Sequence, residues 1–293
     1  MRKQTIFVLF LCLVAVGALA AQSVSVDYVD GAVQQKVGAS WVALQIGDEL
    51  ASGASIRLQS GGLVELSKGN QRISVVKEGT YLLSDLLKST GPSAKPGATG
   101  FALVQKIKTI ATAHEGQGTA GGVRGADQSA AASVPWAEES EEARDNAASL
   151  LSAGKCEEAA KVLTSAMGDA PPEAKPEMQY MLAQAYYGQK ETARAFRAIT
   201  SVTPGVTDSF YPDYMILKAQ VLLDSSAYGD AQDAVQQFLK SKPQSEYAQA
   251  AYLIAAQCAK AVGDAAALQA AVKSGVALAP QSETAQILAD TAK

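Results

Sequence analysis

The chain has 293 residues, 48% hydrophobic and 18% charged, with 25 Lys and Arg against 29 Asp and Glu and a formal net charge of -4. That is globular composition with room for one or two cores, and the lack of a basic patch excludes the electrostatic footprint of nucleic-acid or anionic-membrane binding. One histidine, His114, and three cysteines leave too few ligands for a multi-His zinc site or a His-dependent triad.

The N-terminus reads as a secretory signal peptide over residues 1–20. Met1-Arg2-Lys3 is basic, Ile6 to Ala20 is apolar, and Ala18-Leu19-Ala20 supplies small residues at a cleavage site. The apolar run falls short of the roughly 20 residues of a spanning helix. An exported, periplasmic protein of the cell envelope is therefore expected, with no transmembrane span after cleavage. Two cysteines would remain, Cys156 and Cys258. They fall in the first and fourth helical repeats assigned below, beyond the roughly 7 Å Cα reach of a disulfide, so both are expected as buried free thiols.

Residues 22–89 alternate with period two between closely spaced turns, which predicts a small all-β domain, a sandwich or roll. Val24, Val26 and Tyr28 alternate with polar residues before the turn Asp30-Gly31. Further short strands are expected over 32–37, 41–46, 55–59, 63–67 and 72–76, separated by Gly38, Gly47-Asp48, Gly53, Gly61-Gly62 and Gly69-Asn70. Trp41, Leu44, Leu50, Ile56 and Leu66 are expected to point inward. The Gly47-Asp48 pair suits a turn with a positive φ or an Asx cap.

The run Gly31, Val33, Trp41, Leu44, Gly47-Asp48, Leu50, Gly53, Ile56-Arg57, Gly62 and Leu66 resembles the FecR-type periplasmic β domain over about 65 residues. In that family a Gly-Val-Arg-Gly stretch often follows, and Gly122-Val123-Arg124-Gly125 stands at such a place. The family's regulators carry a cytoplasmic segment and a transmembrane helix, whereas this chain opens on a signal peptide. The resemblance therefore implies the domain and not transmembrane signalling.

Residues 90–135 are rich in Gly, Ala, Ser and Thr and read as a flexible linker. Within it Phe101, Val104, Ile107 and Ile110 recur at helical spacing and predict a short amphipathic helix.

Residues 136–293 are Ala-rich, helical in period and self-similar, predicting an all-α solenoid. Pro171, Pro204, Pro243 and Pro280 recur 33, 39 and 37 residues apart. Ala147, Leu150, Gly154, Ala159, Leu163 and Ala166 lie before the first of them. Ala219, Leu222, Ser226, Tyr228, Ala231, Val235 and Phe238 lie before the third, and Tyr252, Ala256, Ala259, Gly263, Leu268 and Val272 before the fourth. Leu182, Ala183, Tyr186, Ala195 and Ile199 form a less regular second unit. This pattern resembles the tetratricopeptide repeat, with about four repeats and a C-terminal cap helix over 281–291. The resemblance places small Ala where paired helices touch and Pro where the second helix stops.

Catalytic chemistry finds little material. The pairs Glu138-Glu139, Glu141-Glu142 and Glu157-Glu158 point about 100° apart on a helix and read as a solvated face. His114 sits in the linker, and Gly116, Gly118 and Gly121-Gly122 lack the strand, Lys and Ser/Thr of a phosphate loop. No enzyme, cofactor or metal is expected. The tetratricopeptide resemblance instead implies a protein-binding groove of Tyr180, Gln184 and Tyr187, then Ile216, Gln220 and Leu223, then Leu253, Gln257 and Lys260. Amide side chains beside aromatic and aliphatic ones suit a peptide held by main-chain hydrogen bonds and apolar anchors. The expected function is a periplasmic adaptor or scaffold that takes a protein or peptide in the groove. The alternative is a ligand-sensing regulator whose β domain meets an envelope glycan or a receptor and whose repeats report it.

Overall fold

The computed structural model describes residues 23–89 and 135–292, and the chain divides into two units at Pro92. The expected signal peptide, the linker with its short helix, His114 and Gly122-Val123-Arg124-Gly125 lie outside the described residues. Among the described residues no helix is long and apolar enough to cross a membrane.

The N-terminal unit is built from β1 (Ser23–Asp30), β2 (Val33–Val37), β3 (Ser40–Ala43), β4 (Glu49–Ala51), β5 (Ser55–Leu58), β6 (Leu63–Lys68), β7 (Gln71–Val75), β8 (Gly79–Leu82) and the short helix α1 (Leu83–Ser89). They form two four-stranded antiparallel sheets, ordered β4-β1-β6-β7 and β3-β2-β5-β8. Alternation explains the core: Val24, Val26, Leu66, Ile73 and Val75 of the first sheet meet Val33, Ile56 and Leu58 of the second, closed by Leu44, Leu50 and Leu83. Each such fully buried aliphatic contributes roughly 1.5–3 kcal/mol by leaving water.

Two turns carry the connection between sheets. Gly31 adopts φ +70°, and a Cβ there would meet the Gly61 carbonyl oxygen at 2.9 Å, so the two glycine turns approach as only glycine permits. Gly47 adopts φ +91°, while the Asp48 carboxylate accepts from the Gln45 N–H at 2.8 Å. The positive φ expected of the Gly-Asp pair is present, and the Asp48 side chain closes the turn backwards onto Gln45 instead of capping the residues after it.

Three sequence expectations change. The strand read over 41–46 stops at Ala43, because the Leu44 N–H turns to the Val33 carbonyl at 2.9 Å and its side chain drops into the core. Strands β4 and β8 are additional; β4 has one inward residue, Leu50, too few to show a period. Trp41 does not point inward. It pairs with Lys36, and Gln34, on the same face, pairs with Arg57, which puts all four on the outer face of the second sheet. There the Arg57 guanidinium lies 4.5 Å over the Trp41 ring and donates to Gln34 Oε1 at 2.6 Å through Nη2.

The C-terminal unit holds α2 (Pro135–Ser152), α3 (Cys156–Ala166), α4 (Lys175–Gly188), α5 (Thr192–Thr200), α6 (Tyr211–Asp224), α7 (Tyr228–Lys240), α8 (Ser245–Val262), α9 (Ala265–Leu278) and α10 (Glu283–Thr291). Each packs on the next in sequence. In addition α2 touches α4, α4 touches α6, α6 touches α8 and α8 touches α10. Alanines at the close approaches make this possible: Ala147, Ala183, Ala219 and Ala256 on the first helices and Ala159, Ala195 and Ala231 on the second are all at most 1% exposed.

The turn joining the two helices of a pair is the same four times. Gly154, Lys190, Ser226 and Gly263 sit at φ +73°, +62°, +59° and +75°. The following residue donates its N–H five residues back, from Lys155 to Leu150, Glu191 to Tyr186, Ala227 to Leu222 and Asp264 to Ala259, at 2.8 to 2.9 Å. This is the Schellman arrangement, which satisfies carbonyls left over at a helix end. The turns recur every 36 or 37 residues, more evenly than the prolines, which lie in loops of unequal length between the pairs.

Candidate functional site

The predicted groove residues separate by depth. Tyr180, Ile216, Gln220 and Leu253 are buried, and Gln184, Tyr187, Leu223 and Gln257 are half-buried. Lys260 is exposed, but its ammonium donates to the Thr291 carbonyl at 2.8 Å and so closes the end of α10. The buried members line the contacts among α4, α6 and α8. A helix touched on both flanks and from behind leaves only a narrow strip open, which is why an aliphatic such as Ile216 or Leu253 turns inside.

Two predicted residues converge on a third that sequence reasoning missed. The Tyr187 hydroxyl, from the last turn of α4, donates to Asp224 Oδ2 at 2.8 Å. The Gln220 amide donates to Asp224 Oδ1 at 2.9 Å from one turn earlier on α6. Gln220 and Asp224 share a face because they stand four apart on the helix. Asp224 is open to solvent yet surrounded by protein atoms, and desolvation pushes its carboxyl up to about 6 against the lowering by the Tyr187 and Gln220 hydrogen bonds. On α8 the neighbouring Cys258 thiol is buried and pushed up to about 12, by desolvation first and then by the Asp224 charge. The signal that could have found Asp224 was its i+4 spacing from Gln220, one residue past Leu223.

A second polar group lies nearer the starts of the same helices. Tyr180 stacks on Phe210 with ring centroids 5.5 Å apart, and its buried hydroxyl makes no hydrogen bond among the described residues. Desolvation raises it well above the ordinary tyrosine range, and the Asp213 charge adds to this. Asp213 is itself buried and accepts from the Tyr247 hydroxyl at 3.3 Å, while Arg144 and Glu177 pair at 2.7 Å on α2 and α4. Arg144 with Glu177, and Asp213 with Tyr247, stand 33 and 34 residues apart, which is one helix pair to the next.

Glu139, Glu141, Glu142, Glu157 and Glu158 are exposed, and Lys161 donates to Glu157 at 2.7 Å one turn away. Cys156 and Cys258 are free, the first half-buried instead of buried, the second buried. Among the described residues no group of three or more His, Cys, Asp or Glu side chains is placed to hold a metal ion. No protein-family model, no curated protein and no solved structure matches the chain.

Proposed function

We propose that the protein is a non-enzymatic, exported adaptor of the cell envelope, with a FecR-like β module and a C-terminal tetratricopeptide-type solenoid that holds a protein partner in the groove formed by its first helices. The observation that carries the reading is the convergence of Tyr187 and Gln220 on Asp224, which joins residues of two successive helix pairs in one solvent-open polar site. The four equal turns and the contacts from α2 to α4, α6, α8 and α10 support a stacked array, with those helices along one side. Export rests on residues 1–20 alone. Two modules in one chain would bring two partners together by raising their effective concentration.

The test is a photo-crosslinking amino acid placed at Gln184, beside Tyr187 on α4, or at Lys161 on α3, in cells that make the full chain. A protein crosslinked from position 184 and not from 161 supports the groove. The same products from both positions, or none from 184, contradict it.

One observation favours the ligand-sensing alternative. The outer face of the second sheet displays Trp41, Arg57 and Gln34 together, an aromatic and polar surface of the kind that meets a sugar or a peptide edge. Quenching or a shift of Trp41 emission on adding envelope glycan fragments would favour it over a purely structural β module.

A further inference from the structure

Asp224 stands where helix physics disfavours a carboxylate. It is the last residue of α6, at the negative end of the helix dipole, and that last turn carries no basic residue. The helix that faces it, α4, also ends without one. Both of the contacts Asp224 makes are with neutral donors, the Tyr187 hydroxyl and the Gln220 amide, and among the described residues no cation pairs with it. Those donors orient the carboxylate and leave its remaining lone pairs toward solvent. A carboxylate at the negative end of a helix, partly desolvated and met only by neutral donors, costs stability, and such costs concentrate where a ligand supplies the missing partner.

We propose that the Tyr187, Gln220 and Asp224 triad is the specificity site of the groove, and that it takes the lysine or arginine side chain of a bound peptide, with Asp224 as counter-ion and the Tyr187 ring as the neighbouring wall. The inference rests on the groove reading above and adds the chemistry of the partner. A charge-assisted hydrogen bond to a fixed carboxylate is about twice as strong as a neutral one, and the half-buried Tyr187 ring adds an edge for the cation. An acidic segment is rejected by the same carboxylate, so the site selects as well as binds.

A phage-displayed library of random dodecapeptides, selected on the full chain and on Asp224→Asn, provides the probe. Asn is isosteric and keeps an acceptor for the Gln220 amide, so the pocket is retained while the charge is lost. The expected result is a Lys or Arg at one fixed position on the unmodified protein, enriched at least tenfold over its library frequency, with that enrichment absent on the variant. A second arm needs no variant: replacing that residue by norleucine in the synthetic consensus peptide weakens binding to the unmodified protein at least tenfold. Peptides that bind equally well to Asp224→Asn, or with no basic residue at a fixed position, overturn this inference and leave the groove standing. No selected peptide on either protein overturns both.

Discussion

The Tyr187 hydroxyl and the Asp224 carboxylate meet at 2.8 Å across α4 and α6, 37 residues apart in sequence, one helix pair to the next. The contact links two first helices through their side chains, beside the packing that holds them together. The contact lowers the carboxyl's pKa, but desolvation outweighs it, and the first prediction follows from the net rise.

Asp224 is faced by Tyr187 from α4, Gln220 from its own helix and Cys258 from α8. Its folded carboxyl keeps a proton up to about 6, while the ordinary value is 3.8. The folded state therefore binds that proton more tightly than the unfolded one. The stabilisation from protonation is complete below the ordinary value, declines as pH rises through the interval and is gone above about 6. Urea unfolding at several pH values between these limits should show stability falling more with rising pH in the unmodified protein than in Asp224→Asn. Parallel profiles would mean that Asp224 titrates normally.

Lys190 and Ser226 hold the left-handed conformation that Gly154 and Gly263 occupy in the equivalent turns. A side chain there costs about 1–2 kcal/mol, part of which a glycine returns to the unfolded chain as entropy. Lys190→Gly and Ser226→Gly should each stabilise the helical unit by about 0.5–1 kcal/mol. Gly154→Ala should destabilise by about 1 kcal/mol or more through strain alone, since nothing stands within 4 Å of its would-be Cβ. Thermal melts of the three single variants check the whole series.

Gly275 on α9 is a packing glycine. A Cβ there would meet Tyr252 Cβ at 2.9 Å and Leu288 Cδ1 at 2.6 Å, between α8 and α10. The leucine tip can swing aside, but the tyrosine stem cannot without moving its helix. Gly275→Ala should therefore destabilise by about 1–2 kcal/mol despite the better helix propensity of alanine. Hydrogen exchange should rise first in α10. Its start depends on the same place: Gln249 donates to the Gly275 carbonyl at 3.0 Å and accepts from the Ser282 hydroxyl at 3.0 Å.

Burial raises both thiols, Cys258 up to about 12 and Cys156 in the same direction. Neither is a ready nucleophile at pH 8, because the thiolate is the reactive form. Iodoacetamide labelling followed by peptide mapping should find both unmodified in the native protein and both modified in urea, with Cys156 the faster of the two during partial unfolding.

Alternation made part of the β core legible: Val24, Val26, Ile56 and Leu66 go inside as their spacing requires. Trp41 does not, because its strand lies at a sheet edge and its period faces outward, where Arg57 covers the ring; residue type was weighed above register. In the helical unit the small residues at helix contacts were readable, while the second turn was hidden by a lysine in a glycine's conformation. Groove residues were harder still. Which face of a first helix stays open depends on how its neighbours close over it, so Ile216 and Leu253 went to the interior, and Asp224, which no motif singles out, receives the hydrogen bonds of Tyr187 and Gln220.

The most direct test of the account is the affinity of the partner crosslinked at position 184 for the unmodified protein and for Tyr187→Ala, measured by calorimetry on the full chains. Tyr187 is half-buried, so its loss should leave the fold in place while removing the wall of the site. The account predicts at least a tenfold weaker Kd, about 1.4 kcal/mol. An unchanged Kd would contradict it and place the partner elsewhere on the molecule.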